Sequence, residues 1–94
     1  MVKIEWSSSA ENDLMEIIDY IAQDSVEYAL SFYELVHEKI KNLEEFPKIG
    51  RKIPKMNDPR IRELILKNFH IIYRILDKKI QIIRLIHGSR KLDL

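Results

Sequence analysis

The chain has 94 residues, 46% hydrophobic and 33% charged, with no cysteine and a formal net charge of +1. That describes one small domain, residues 1–94, with apolar material for a single core, and it excludes a disulfide scaffold, a thiolate zinc site and a cysteine nucleophile. No apolar run approaches the roughly 20 residues that span a bilayer, and the opening MVKIEWSSSAEND is too polar for a signal peptide; a cytoplasmic protein with no membrane partner is expected.

Val2, Ile4 and Trp6 alternate with Lys3 and Glu5, the period of a short half-buried strand. Ser8-Ser9-Ala10-Glu11 has the form of a capping box with Ser8 as N-cap. Ala10, Leu14, Ile17, Ile18 and Ile21 then make one apolar stripe and predict a helix over 8–23. Asp24 and Ser25 interrupt it and supply the next N-cap, and Ala29, Phe32, Tyr33, Val36, Ile40 and Leu43 predict a second helix over 25–45. So short a gap implies a helix hairpin. Pro47 and Gly50 end the second helix, and 46–59, which hold all three prolines, read as an irregular loop. Three strand-like runs follow at 60–66, 69–76 and 79–87, separated by Lys67-Asn68 and Asp77-Lys78, each the length of a tight turn. The order β-α-α-β-β-β is α+β: a helix hairpin packed on a small antiparallel sheet.

The net charge hides a division. Residues 1–46 carry three lysines, no arginine and eleven Asp/Glu, a net of −8; residues 47–94 carry thirteen Lys/Arg and four Asp/Glu, a net of +9. The basic half suits an acidic or polyanionic partner, or the two halves neutralise each other across the fold.

A two-residue turn at Asp77-Lys78 pairs Leu76 with Lys79 and continues in step. Phe69, Ile71, Tyr73 and Ile75 then share a face with Ile80, Ile82, Arg84 and Ile86, the face that carries the helices. The opposite face gathers His70, Arg74 and His87, the first candidates for a site, although such residues on a sheet face are most often only solvated. One residue of slip would exchange the faces. Arg84 is read as a stem on the core with its head in solvent, Tyr73 as core with its hydroxyl satisfied at the rim, and His37 as structural or exposed. Asp13, Glu16, Glu27, Glu34 and Glu38 fall on the outward sides of the helices.

The histidines His37, His70 and His87 lack ligand spacing, so no metal and no cofactor is expected. What remains is a basic constellation of Arg51, Lys52, Lys55, Arg60, Arg62, Lys67, His70, Arg74, His87, Arg90 and Lys91. Such a set suits a phosphate backbone. Its histidines also suit metal-free RNA cleavage, which needs a base, an acid and cations for the developing phosphorane charge.

Several stretches in their order resemble the RelE/ParE superfamily of type II toxin–antitoxin toxins over nearly the whole chain. They are the strand ending in Trp6, Ala10-Glu11-Asn12-Asp13-Leu14, Asp19-Tyr20-Ile21-Ala22, and Leu43 through Arg51 (LEEFPKIGR). Arg62-Glu63-Leu64, Phe69 through Arg74 (FHIIYR) and Ile82 through Arg90 (IIRLIHGSR) complete them. The resemblance implies a helix hairpin on a small sheet and a toxin held inactive by a cognate antitoxin. It implies one of two targets: the ribosome with its mRNA for RelE-like nucleases, or DNA gyrase for ParE-like inhibitors, which cut no RNA. Arg60 and Arg62 match the RelE-like basic pair and Arg90 the late arginine. His70 stands where that pattern has an arginine, and no aromatic residue follows Arg90. A RelE-like enzyme would use His70, Arg62, His87 and Arg90 for catalysis, with Arg51, Lys52, Lys55, Arg60, Arg74 and Lys91 holding target or nucleic acid. The ending His87-Gly88-Ser89-Arg90 is more similar to the ParE, or plasmid-stabilisation, branch, so gyrase inhibition is the leading expectation and mRNA cleavage the alternative.

Overall fold

The computed structural model describes residues 1–88. Strand β1 (Lys3–Trp6) leads into helix α1 (Ser8–Ala22) and helix α2 (Val26–Lys41), which ends in a single 3-10 turn (Asn42–Glu44). Strands β2 (Arg51–Lys52), β3 (Ile61–Leu66), β4 (Phe69–Leu76) and β5 (Lys79–His87) follow. The α+β class and the helix hairpin are as expected, with two corrections. The sheet is mixed: its order is β1-β5-β4-β3-β2, and β1 runs parallel to β5. The 46–59 loop also contains β2, which pairs with β3 at the sheet edge.

Serines start both helices, since each hydroxyl accepts one of the N–H groups that a first turn leaves unpaired. Ser25 Oγ accepts from Tyr28 N at 3.0 Å, as expected. The cap of α1 is Ser7, not Ser8: its Oγ accepts from Ala10 N at 3.0 Å. Ser7 is favoured because the same hydroxyl donates to Ile83 O at 2.8 Å, tying the start of the helix to β5.

The core lies between the helix pair and one sheet face. Ala10, Leu14, Phe32, Val36, Ile40 and Leu43 pack there against Leu64, Leu66, Ile71, Tyr73, Ile80, Ile82 and Leu85. Tyr33 departs from its stripe: it is 42% exposed, and its ring lies 4.4 Å from His37, which in turn lies 5.4 Å from Trp6. On the other face Ile53, Ile61 and Ile72, with Met56 and Ile83 against them, form a smaller cluster under the 53–56 loop.

Both hairpins close through two residues. Lys67 (φ 54°) and Lys78 (φ 63°) occupy the left-handed region that such turns require. From Leu76–Lys79 to Tyr73–Ile82 the β4–β5 register is the expected one. A bulge then intervenes: Ile72 faces Arg84, leaving Ile83 as the extra residue. Beyond it Phe69 pairs with His87 and His70 with Ile86, so the faces of this end exchange.

The bulge is held by α1. Asp13 Oδ2 accepts from Leu85 N at 2.9 Å and from Arg84 Nε at 2.7 Å, and Asp13 Oδ1 accepts from Arg84 Nη2 at 3.1 Å. Asp13 is therefore not an outward, solvated carboxylate, and the Arg84 head does not run into solvent. The Asp13 hydrogen bonds raise the Arg84 pKa above its ordinary value.

Candidate functional site

The buried polar centre of the molecule is Glu63, on the sheet face away from the helices. Alternation along β3 puts Ile61, Glu63 and Ile65 on that face, opposite Arg74, Ile72 and His70 of β4. Glu63 is 6% exposed. A carboxylate at that depth persists only with partners, and it has two. Arg51 Nε donates to Oε2 at 2.7 Å, and His70 Nδ1 lies 2.6 Å from Oε1. Burial pushes the Glu63 carboxyl up, but the hydrogen bonds from His70 and Arg51 together outweigh it and hold the group below the usual carboxylate range. The ionised carboxylate fixes Nδ1–H as the proton-bearing nitrogen of His70. Gly88 rests against the other side of the ring: a Cβ there would come within 3.0 Å of Nε2. Gly88 N donates to Asn68 O at 2.7 Å, which keeps this approach close.

In the sequence Glu63 stands only within the motif Arg62-Glu63-Leu64, not among the candidate site residues. The signal was a charged residue in period two with Ile61 and Ile65, on a face that turns out to be covered.

The expected cluster of His70, Arg74 and His87 does not form on one face. The bulge turns His87 to the helix side, where its ring meets Phe69 edge-on at 5.4 Å. There it borders a recess with Tyr20, Ile21, Tyr28, Phe32 and Lys67. Arg74 stays on the face of Glu63 and His70, half-buried, with Nε lacking a hydrogen-bond partner among the described residues.

Arg62 pairs with Tyr73 on the helix side, and its Nη1 donates to Gly50 O at 2.9 Å and Lys48 O at 3.3 Å. It clasps the 47–50 loop. Arg60 is exposed and forms a two-pronged pair with Asp58, through Nε to Oδ1 at 3.0 Å and Nη2 to Oδ2 at 2.9 Å. The Arg60 hydrogen bonds lower the Asp58 pKa to about 2. Lys52 and Lys55 are exposed. Arg90 and Lys91 lie outside the described residues. Of the four residues considered for RNA cleavage, the three described ones therefore occupy separate surroundings, with His70 beside Glu63, His87 beside Phe69 and Arg62 on loop carbonyls. Among the described residues no group of three or more His, Asp or Glu is placed to hold a metal ion, and no helix is long and apolar enough to cross a membrane.

The sequence profile of the family described as "ParE toxin of type II toxin-antitoxin system, parDE" matches residues 4–92. No match was found among curated protein sequences. Among solved structures, a chain of the "Chromosomal ParDE TA system from P. aeruginosa" is similar with a TM-score of 0.78 and 29% identity, over 95% of this chain and 98% of that one. The conserved hypothetical protein HP0894 from Helicobacter pylori is similar at a TM-score of 0.53 and 19% identity, over 95% and 97% of the two chains, a likeness of fold alone.

Proposed function

Because the chain belongs to the ParE toxin family of type II toxin–antitoxin systems, we propose that it is neutralised by a cognate antitoxin and inhibits DNA gyrase by protein contact, acting in the cytoplasm. The observation that carries this reading is the separation of His70 from His87. A metal-free ribonuclease needs its base, acid and cations to converge on one phosphate. Here the two histidines stand on opposite faces of the sheet, and Arg62 is engaged by loop carbonyls. Contact-based inhibition asks instead for apolar side chains in water. The helix hairpin offers Met15, Tyr20, Val26, Tyr28 and Leu30, each at least 49% exposed.

One arrangement favours the alternative, a RelE-like ribosome-dependent mRNA endonuclease. The Glu63 carboxylate sets the tautomer of His70, the way a general base is oriented. The two readings separate in cells. Induced expression with reporters for DNA damage and for protein synthesis will raise the damage response first if gyrase is the target. Immediate arrest of translation with A-site mRNA cuts would favour the nuclease. Co-expression of the neighbouring open reading frame will relieve the toxicity if that frame encodes the antitoxin.

A further inference from the structure

Three adjoining recesses form one groove where the helix hairpin meets the β3–β4 turn and the end of β5. The central recess, of about 340 Å³, is lined by five rings, those of Tyr20, Tyr28, Phe32, Phe69 and His87. Tyr20, Phe69 and His87 also line the second recess, beside Glu16. Tyr28, Phe32 and Lys67 also line the third, beside Glu27. Phe32 and Phe69 meet edge-on at 5.3 Å, whereas Tyr20 and Tyr28 stand in water, 72% and 49% exposed. The face of an aromatic ring carries negative charge density and attracts cations. The groove already shows this attraction: the Lys67 ammonium lies 5.5 Å from the Tyr28 ring centroid.

The carboxylates along the groove decide its occupant. Asp24 lines the central recess, Glu16 the second and Glu27 the third. All three are exposed, and none forms a salt bridge among the described residues. Asp13 also borders the groove, but its charge is matched by Arg84. Against the three carboxylates stands one ammonium, that of Lys67, already seated on Tyr28. Glu16 and Asp24 are separated by about 12 Å of helical rise, with Tyr20 midway between them. That is the reach of a short extended methylene chain capped at both ends by ammonium groups. A nucleic acid would bring phosphates to this acidic rim, and a second copy docked about a two-fold axis would set the rim against itself.

We propose that this groove binds a linear polyamine. Its terminal ammonium groups lie on Glu16 and Asp24, with Glu27 beside the second, and its methylenes cross the rings of Tyr20 and Phe69. The proposal does not depend on which target the toxin has, and its test reads binding and not toxicity.

Titration of the full chain at low salt with spermidine, a linear triamine, and with butylamine, which has one ammonium group, tests it by calorimetry and equilibrium dialysis. Spermidine should bind at least about tenfold tighter than butylamine, because its second ammonium engages within the same molecule. Glu16→Gln and Asp24→Asn should each weaken spermidine about threefold, and Tyr20→Ala should weaken it by about as much. Lys67→Asn removes the competing cation with a residue that tolerates the left-handed backbone there, and it should tighten binding about threefold, a gain that a damaged fold would not give. The substituted side chains are all exposed, so the variants should retain the wild-type circular dichroism. Glu45→Gln, outside the groove, should leave the affinity unchanged. The proposal is overturned by the absence of saturable spermidine binding, by equal affinity for butylamine, or by groove variants that behave like Glu45→Gln. Displacement of spermidine by an equal concentration of magnesium would also overturn it, as the mark of a general counterion.

Discussion

His70 Nδ1 lies 2.6 Å from Glu63 Oε1, while Arg51 Nε holds the other carboxylate oxygen at 2.7 Å. Three strands, β2, β3 and β4, thus meet at one buried carboxylate. Removing it strands two donors in a partly dry site. Glu63→Ala should cost about 2 kcal/mol or more in urea unfolding. A loss below about 0.5 kcal/mol would mean that water already serves these groups.

The same carboxylate predicts a pH dependence. Its pKa is lower folded than unfolded, so its contribution is fully present above the unfolded value of about 4.3 and is lost as pH falls through the folded value. Wild-type stability should therefore fall on acidification below about pH 5. The deficit of Glu63→Gln should be largest at neutral pH and shrink toward acid. Asp58 is lowered to about 2 by its pair with the exposed Arg60 at the surface, where solvent screens the pair, so Asp58→Asn should leave the curve nearly unchanged. Parallel wild-type and Glu63→Gln curves would contradict the assignment.

Gly50 sits where no side chain fits. A Cβ would lie 2.6 Å from Tyr73 Oη and 2.7 Å from Glu63 O, one a fully buried ring and the other backbone. Gly50→Ala should cost about 1–3 kcal/mol through overpacking. Tyr73→Phe should cost a similar amount by leaving Gly50 N and Pro47 O without their shared partner. Denaturant midpoints measure both.

Asp13 is predicted to hold the β5 bulge. Asp13→Ala removes the acceptor of Leu85 N and of the Arg84 guanidinium, at a cost of about 2 kcal/mol. Amide exchange at Leu85 should accelerate more than at Ile80, which lies before the bulge. Equal acceleration at both would indicate a global loss and not a local one.

Periodicity was enough for both helices, both two-residue turns and the register near Asp77-Lys78, because each rests on neighbours in sequence. The bulge at Ile83 was not legible. No glycine marks it, and its polar groups are satisfied by Ser7 and Asp13, more than 70 residues earlier. That one inserted residue carried His87 to the helix side and removed it from the expected cluster. It also explains Asp13, whose helical position looks solvent-facing until Arg84 and Leu85 arrive beside it. The parallel partner of β1 was hidden for a related reason: alternation of Val2, Ile4 and Trp6 specifies a half-buried strand but not its neighbour. The burial of Glu63 is not legible because the loop and β2 that cover its face come from a stretch without strand periodicity.

DNA supercoiling with purified gyrase and the purified chain decides whether the chain inhibits gyrase by protein contact. The wild type should block supercoiling or trap the cleavage complex, and a His70→Ala/His87→Ala variant that remains folded should do the same. No inhibition and no trapped complex, together with A-site cuts on translating ribosomes that vanish in His70→Ala, would contradict it.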